Sequence, residues 1–149
     1  MNWTNITIDT LKAAGHGAII DAAQSAGIGG VDPVAESIAD AVSRVRAACS
    51  TGNQLDADTT KVPNSIKGLA IRIALFALME RINYSLSQDQ RDTRRNDNAL
   101  LLQIGRDQLK FELPDNPARG AEMQRGSDMD IVTQTDRRHY TRRGMEGLL

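Results

Sequence analysis

The stretch from Asn64 to about Leu86 most constrains what this chain can fold into. Ile66, Leu69, Ile73, Phe76, Ala77 and Met79 recur at helical spacing, while Ala70, Ala74, Leu75 and Leu78 spread apolar character round most of the circumference. A helix that is apolar on nearly every side must be covered on several sides, so this segment is predicted to be the central element of the domain. The rest of the core has to be built to match. Aromatic residues make up only 3% of the 149, namely Trp3, Phe76, Tyr84, Phe111 and Tyr140, against 40% hydrophobic residues in all. A core of Ile, Leu, Val, Met and Ala suits close-packed helices and disfavours a β-sandwich. The expected fold class is mainly α: a small helical bundle with a short extended segment and a long extended C-terminal arm.

The elements around the central helix have their own signals. Thr7 or Asp9 can cap a short helix that Gly15 closes, and Ala18 to Gln24 forms a second short helix running into the glycines Gly27, Gly29 and Gly30. Asp32 followed by Pro33 is a strong helix start. From there Val34, Ile38, Val42, Val45 and Cys49 form an apolar stripe that Gly52 ends, which predicts Cys49 to be a small buried hydrophobe. Asn53 to Pro63 reads as a polar loop. Ser87 to Asn98 reads as a charged connector or helix start, and a further helix carries Leu101, Leu102 and Ile104 before Gly105. Leu109, Phe111 and Leu113 alternate with Lys110 and Glu112, predicting a short extended segment with one face buried. The expected division is a helical domain over 1–113 and an arm over 114–149.

The arm is a different kind of sequence. Pro114, Pro117, Gly120, Gly126 and Gly144 interrupt any long element, and apolar residues are sparse. Yet Met129, Ile131, Val132, Tyr140, Met145, Leu148 and Leu149 are more than a solvating tail needs, which predicts a segment ordered by a partner. In its last 13 residues four arginines face Glu146 alone. Arginine forks grip carboxylates bidentately and Tyr140 is a stiff amphipathic anchor, so the cluster points to a protein groove. The competing reading places Arg137, Arg138, Arg142 and Arg143 on phosphates, as in a helical nucleic-acid-binding module of a DNA-packaging machinery.

Charge and chemistry narrow the class further. Eighteen Lys and Arg against nineteen Asp and Glu leave a formal charge of −1, unlike a general nucleic-acid binder. A lone Cys49 gives neither a disulfide framework nor a multi-cysteine zinc site. His16 and His139 are far apart, and Gly27-Ile28-Gly29-Gly30 lacks the Gly-Lys-Ser/Thr of a phosphate loop. Asp56 and Asp58 alternate as in a calcium loop, without its glycine and terminal glutamate. The expectation is therefore a protein with no catalytic, cofactor or metal site, and a hydrolase is disfavoured. The N-terminus lacks a secretory pattern and the apolar run Ala74 to Met79 is too short to span a bilayer, so no membrane is expected among its partners.

The segment Arg138-His139-Tyr140-Thr141-Arg142-Arg143-Gly144-Met145-Glu146-Gly147-Leu148 resembles the C-terminal signature of small tailed-phage neck proteins, the Mu-like head–tail adaptor (head-completion) family. In that family an arginine precedes an aromatic, then Ser/Thr-Arg, then a hydrophobic-x-Gly-hydrophobic ending. The order of predicted elements is similar over most of the chain. The chain departs at Arg44-Val45-Arg46-Ala47-Ala48, where an Asp-x-Tyr-Leu type segment is usual, and in the long insert Asn116 to Thr135. The resemblance implies a non-enzymatic virion protein made in the host bacterial cytoplasm. Such a protein forms a homo-oligomeric, dodecameric ring under the portal protein, meets tail or stopper proteins, and surrounds DNA passing through its lumen. It also implies that Arg138, Tyr140, Thr141, Arg142, Met145, Gly147 and Leu148 make the partner contacts, to which the arginine cluster itself adds Arg137 and Arg143.

Overall fold

The computed structural model describes residues 1–27 and 30–118. The chain divides into two units, Met1–Pro117 and Ala118–Leu149, and the described residues belong almost wholly to the first. That unit is mainly helical with one small two-stranded sheet. The order is β1 (Trp3–Asn5), α1 (Ile8–Leu11), a kinked turn over Lys12–His16, α2 (Gly17–Ser25), α3 (Pro33–Cys49) and β2 (Lys61–Pro63). A 3-10 turn over Asn64–Ile66 then leads into α4 (Lys67–Arg81), and α5 (Gln88–Gly105) follows.

The strongest helix starts are local chemistry. Thr7 caps α1, its hydroxyl accepting from the Thr10 N–H while the Thr10 hydroxyl accepts from the Thr7 N–H. Asp32 Oδ1 accepts from the Val34 N–H at 2.9 Å with Pro33 in the first helical position of α3. The kink before α2 turns on Gly15, whose φ of +89° lies where a side chain is disfavoured.

Helix α4 is the central element, as its all-round apolar sequence demands: Leu69, Ala70, Ile73, Ala74, Leu75, Phe76, Leu78 and Met79 are all buried. It packs most extensively on α3, and α2 and α5 cover further sides. The expected helix from Asn64 to Leu86 is shorter in fact. Its first three residues wind as a 3-10 turn, and its end falls at Arg81 because Asn83 adopts a left-handed φ of +53° that reverses the chain. On α3 the stripe Val34, Val42, Val45 and Cys49 is buried, joined by Ser37 and Ala41, with Ile38 half-buried at its edge.

Three elements sharpen or depart from the sequence expectation. Of the two readings of Ser87 to Asn98, the helix start holds: the stretch is continuous with the following turns as α5, started by a capping box in which Ser87 and Gln90 exchange side-chain bonds with each other's N–H. The N-terminus is a strand, since Trp3–Asn5 pairs antiparallel with Lys61–Pro63. The segment Leu109 to Leu113 forms no ladder. Leu109 and Phe111 are half-buried on the core, but Leu113 is 69% exposed and Pro114 is buried in its place. Side chains hold that stretch instead: Trp3 Nε1 donates to the Glu112 carbonyl at 2.9 Å and Asn2 Nδ2 to the Leu113 carbonyl at 3.2 Å. The compact unit therefore continues to Pro117, which forms an antiparallel bridge with Asp56. Residues 119–149 of the expected C-terminal arm lie outside the described residues.

Candidate functional site

The residues that the sequence singles out for partner contact, Arg137, Arg138, Tyr140, Thr141, Arg142, Arg143, Met145, Gly147 and Leu148, lie outside the described residues. What the described unit offers is a surface feature with no sequence signature: an open apolar groove of about 680 Å³ along one face of α3. Ile38 and Val42 form its floor, Ile6 and Ile8 one wall, and Thr59 and Thr60 the polar rim. The volume falls in the range of a side-chain- or ligand-binding cleft.

The groove is assembled from three distant segments, and one arginine joins them. Arg46 projects from α3 into the loop before β2, where Nη1 donates to the carbonyls of Asp58 (3.0 Å) and Lys61 (2.8 Å) and Nη2 to that of Asp56 (2.7 Å). Its guanidinium carbon stands 5.7 Å from the centre of the Trp3 ring, within cation–π range. Trp3 is buried and pinned on its far edge through the Glu112 carbonyl. Thus α3, the loop and β1 share one fork of donors, and Thr59 and Thr60 are held at the groove's rim.

Within the loop, the two aspartates that alternate like calcium ligands serve the backbone. Asp56, 1% exposed, accepts from the Asp58 N–H at 2.9 Å through Oδ1 and from the Asn116 N–H at 3.4 Å through Oδ2. The Asp58 carboxylate accepts from the Thr60 hydroxyl at 2.6 Å and from its N–H at 3.0 Å, which holds its pKa below the ordinary carboxylate value. Both are occupied by Asx-type bonds. Among the described residues no cluster of His, Cys, Asp and Glu has the arrangement of a metal site.

Several other reactive or charged groups among the described residues are committed to structure. Cys49 is fully buried, and burial pushes its thiol pKa up from 9.0 to about 11, with the Arg46 charge opposing. Arg72 pairs with Asp97 across α4 and α5, and that hydrogen-bonded carboxylate raises the arginine's pKa further. Arg94 of α5 also pairs with Glu80 of α4, while Arg81 at the end of α4 bonds Glu36 of α3 at 2.5 Å and approaches Asp40 at 3.7 Å. No helix among the described residues is long and apolar enough to cross a membrane.

Sequence reasoning assigned no role to Arg46 or to Trp3. The contact between them joins residues whose neighbours in sequence carry no hint of each other. The signal that was available is the pair of short β-prone runs, Trp3-Thr4 and Lys61-Val62, each too short to stand out. Comparisons with family models, curated proteins and solved structures found no match to this chain.

Proposed function

We propose that this chain is a structural virion protein of a tailed bacteriophage, a head–tail adaptor that forms a ring at the portal vertex and extends the channel for DNA. The observation that carries the reading is the terminal sequence Arg138-His139-Tyr140-Thr141-Arg142-Arg143-Gly144-Met145-Glu146-Gly147-Leu148, with the arginine–aromatic–Thr-Arg order and glycine-containing apolar ending of the neck-protein signature. The mainly helical body suits a wedge that packs side by side with copies of itself. Its near-neutral charge suits a conduit, since a strongly basic lumen would retain DNA. In this reading the body sets the spacing of the ring, and the arginines, Tyr140 and the terminal apolar residues supply affinity for the portal, a neighbouring copy or a tail protein. No chemistry is asked of it in this reading.

The test is to mix the full-length protein with the portal protein of the same phage and to follow assembly by sedimentation and electron microscopy. The expected result is a ring-shaped particle seated on one end of the portal. A chain that remains monomeric and leaves the portal bare sinks the reading. Tight, steeply salt-dependent binding to duplex DNA in the absence of portal binding would transfer it to the nucleic-acid-binding class.

A further inference from the structure

We propose that the groove on α3 is the receptor for the C-terminal segment Arg138–Leu149 of a neighbouring copy, so that successive copies are joined segment-into-groove. The inference rests on the ring reading above and adds to it the surface that receives the terminal segment.

The first argument is the character of the groove. Its lining is largely aliphatic, with Ile8 and Ile38 half-buried there beside the buried Ile6 and Val42. An apolar cleft of this size left open on a small protein marks a docking surface. The terminal segment supplies matching apolar side chains, Met145, Leu148 and Leu149, behind a single aromatic, Tyr140.

The second argument is where the chain leaves the body and how much of it remains. Pro117 is bridged to Asp56, and the Ala57 N–H donates to the Asn116 carbonyl at 2.8 Å. Two residues beyond Ala57 stands Thr59, on the groove's rim. The chain therefore departs from the loop that borders the groove. The residues between Ala118 and Met145 can span roughly 90 Å at full extension, enough to reach an adjacent copy of a domain this size.

The third argument is charge. Residues 1–118 carry 12 Lys and Arg against 14 Asp and Glu, whereas the last 13 residues carry four arginines against one glutamate. Asp9 follows the lining residue Ile8, and Asp58 precedes the lining residue Thr59. A basic, apolar-ended segment is the complementary occupant. A segment and a groove are also two different surfaces of one chain, which is what a head-to-tail ring contact requires and a two-fold dimer does not.

Disulfide trapping between full-length chains tests this directly. One preparation carries Ala39→Cys in the groove and another, distinguished by a tag, carries Leu149→Cys. The native Cys49 is buried and does not compete. On mild oxidation of the mixture we expect a mixed disulfide dimer at a yield at least about tenfold above that from a Ser25→Cys control paired with Leu149→Cys, as raised effective concentration demands. Ile38→Glu in the Ala39→Cys chain should return the yield to the control level, while circular dichroism confirms an unchanged helical body. No excess over the control overturns the inference. So does a disulfide that forms only inside a chain carrying both cysteines, since the occupant is then the chain's own terminus. Sedimentation of the unoxidised protein with portal reports on the ring independently: rings without trapping refute the groove assignment alone, and trapping without rings refutes the adaptor reading alone.

Discussion

Arg72 of α4 holds Asp97 of α5 in a forked grip: Nε donates to both carboxylate oxygens, at 3.1 and 3.0 Å, and Nη2 donates to Oδ1 at 2.8 Å. Asp97 is only 5% exposed, whereas the Arg72 side chain is 43% exposed. The carboxylate thus depends on this one partner for the hydrogen bonds that water would otherwise give, while the guanidinium retains solvent on its outer edge. The pair fixes the polar half of α5 against the central helix.

Asp97→Asn keeps the shape of the buried group but loses its charge, and should cost about 1–3 kcal/mol, less than a fully buried pair because Arg72 stays hydrated. Arg72→Lys replaces a fork by a point charge and should cost about 1 kcal/mol. Urea unfolding of the two single variants and the double variant measures the coupling. Additive effects would show that the two side chains act independently despite their geometry.

Arg46 should be the residue on which the groove's shape depends most. Arg46→Met preserves the apolar stem but leaves three carbonyls of the Asp56–Lys61 loop without their donor, at a cost of about 2–3 kcal/mol. Because Trp3 is the sole tryptophan and lies beneath the guanidinium, its fluorescence reports the local consequence. The emission should shift to longer wavelength as water reaches the ring. An unchanged spectrum would mean that β1 is held without Arg46.

These two arginines mark the limit of what the sequence discloses. The start of α3 was legible because Asp32-Pro33 and the stripe beginning at Val34 are local statements about one helix. The burial of α4 was legible because no other arrangement can cover so apolar a helix. The amino-terminal half of α5 was legible only as one of two readings, connector or helix start, since its arginines and aspartates present no apolar period. Its signal was the Ser87–Gln90 capping box. The sheet was illegible for a different reason: three-residue strands paired across nearly sixty positions carry almost no periodicity of their own. The groove inherits that difficulty, being made wherever α3, the residues after β1 and the loop before β2 happen to meet.

Cys49 gives a pH-dependent prediction with a definite sign. Burial raises its thiol pKa from 9.0 to about 11 in the folded chain, so between these values the folded chain binds more protons than the unfolded one. Its stabilising contribution is fully present below about pH 9 and is lost as pH rises through the folded value. Cys49→Ala should therefore flatten the alkaline fall in melting temperature while lowering it uniformly through the cavity it leaves. At neutral pH a thiol reagent should label the native protein on the order of 100-fold or more slower than the unfolded chain. Rapid labelling under native conditions would contradict the burial of Cys49.

The terminal arginines separate the two functional readings by the kind of anion they hold. A phosphate backbone is bound largely through positive charge, so changing Arg137, Arg138, Arg142 and Arg143 together to lysine should leave duplex DNA binding and its salt slope nearly intact if that is their role. A protein carboxylate or backbone site gripped by planar forks discriminates between the two side chains, because lysine offers one ammonium where arginine offers parallel donors. The adaptor reading therefore expects the fourfold lysine variant to lose about tenfold or more in portal or neighbour affinity, with helical content unchanged. It expects Tyr140→Ala and Leu148→Ala to do the same singly, since an apolar anchor contributes nothing to phosphate binding in the groove of a duplex. Fluorescence anisotropy with DNA and pull-down with portal, run on the same four-lysine protein, decide between them. Retained portal binding with lost DNA binding would contradict both assignments of the arginines, and retained binding to both would contradict the adaptor assignment alone.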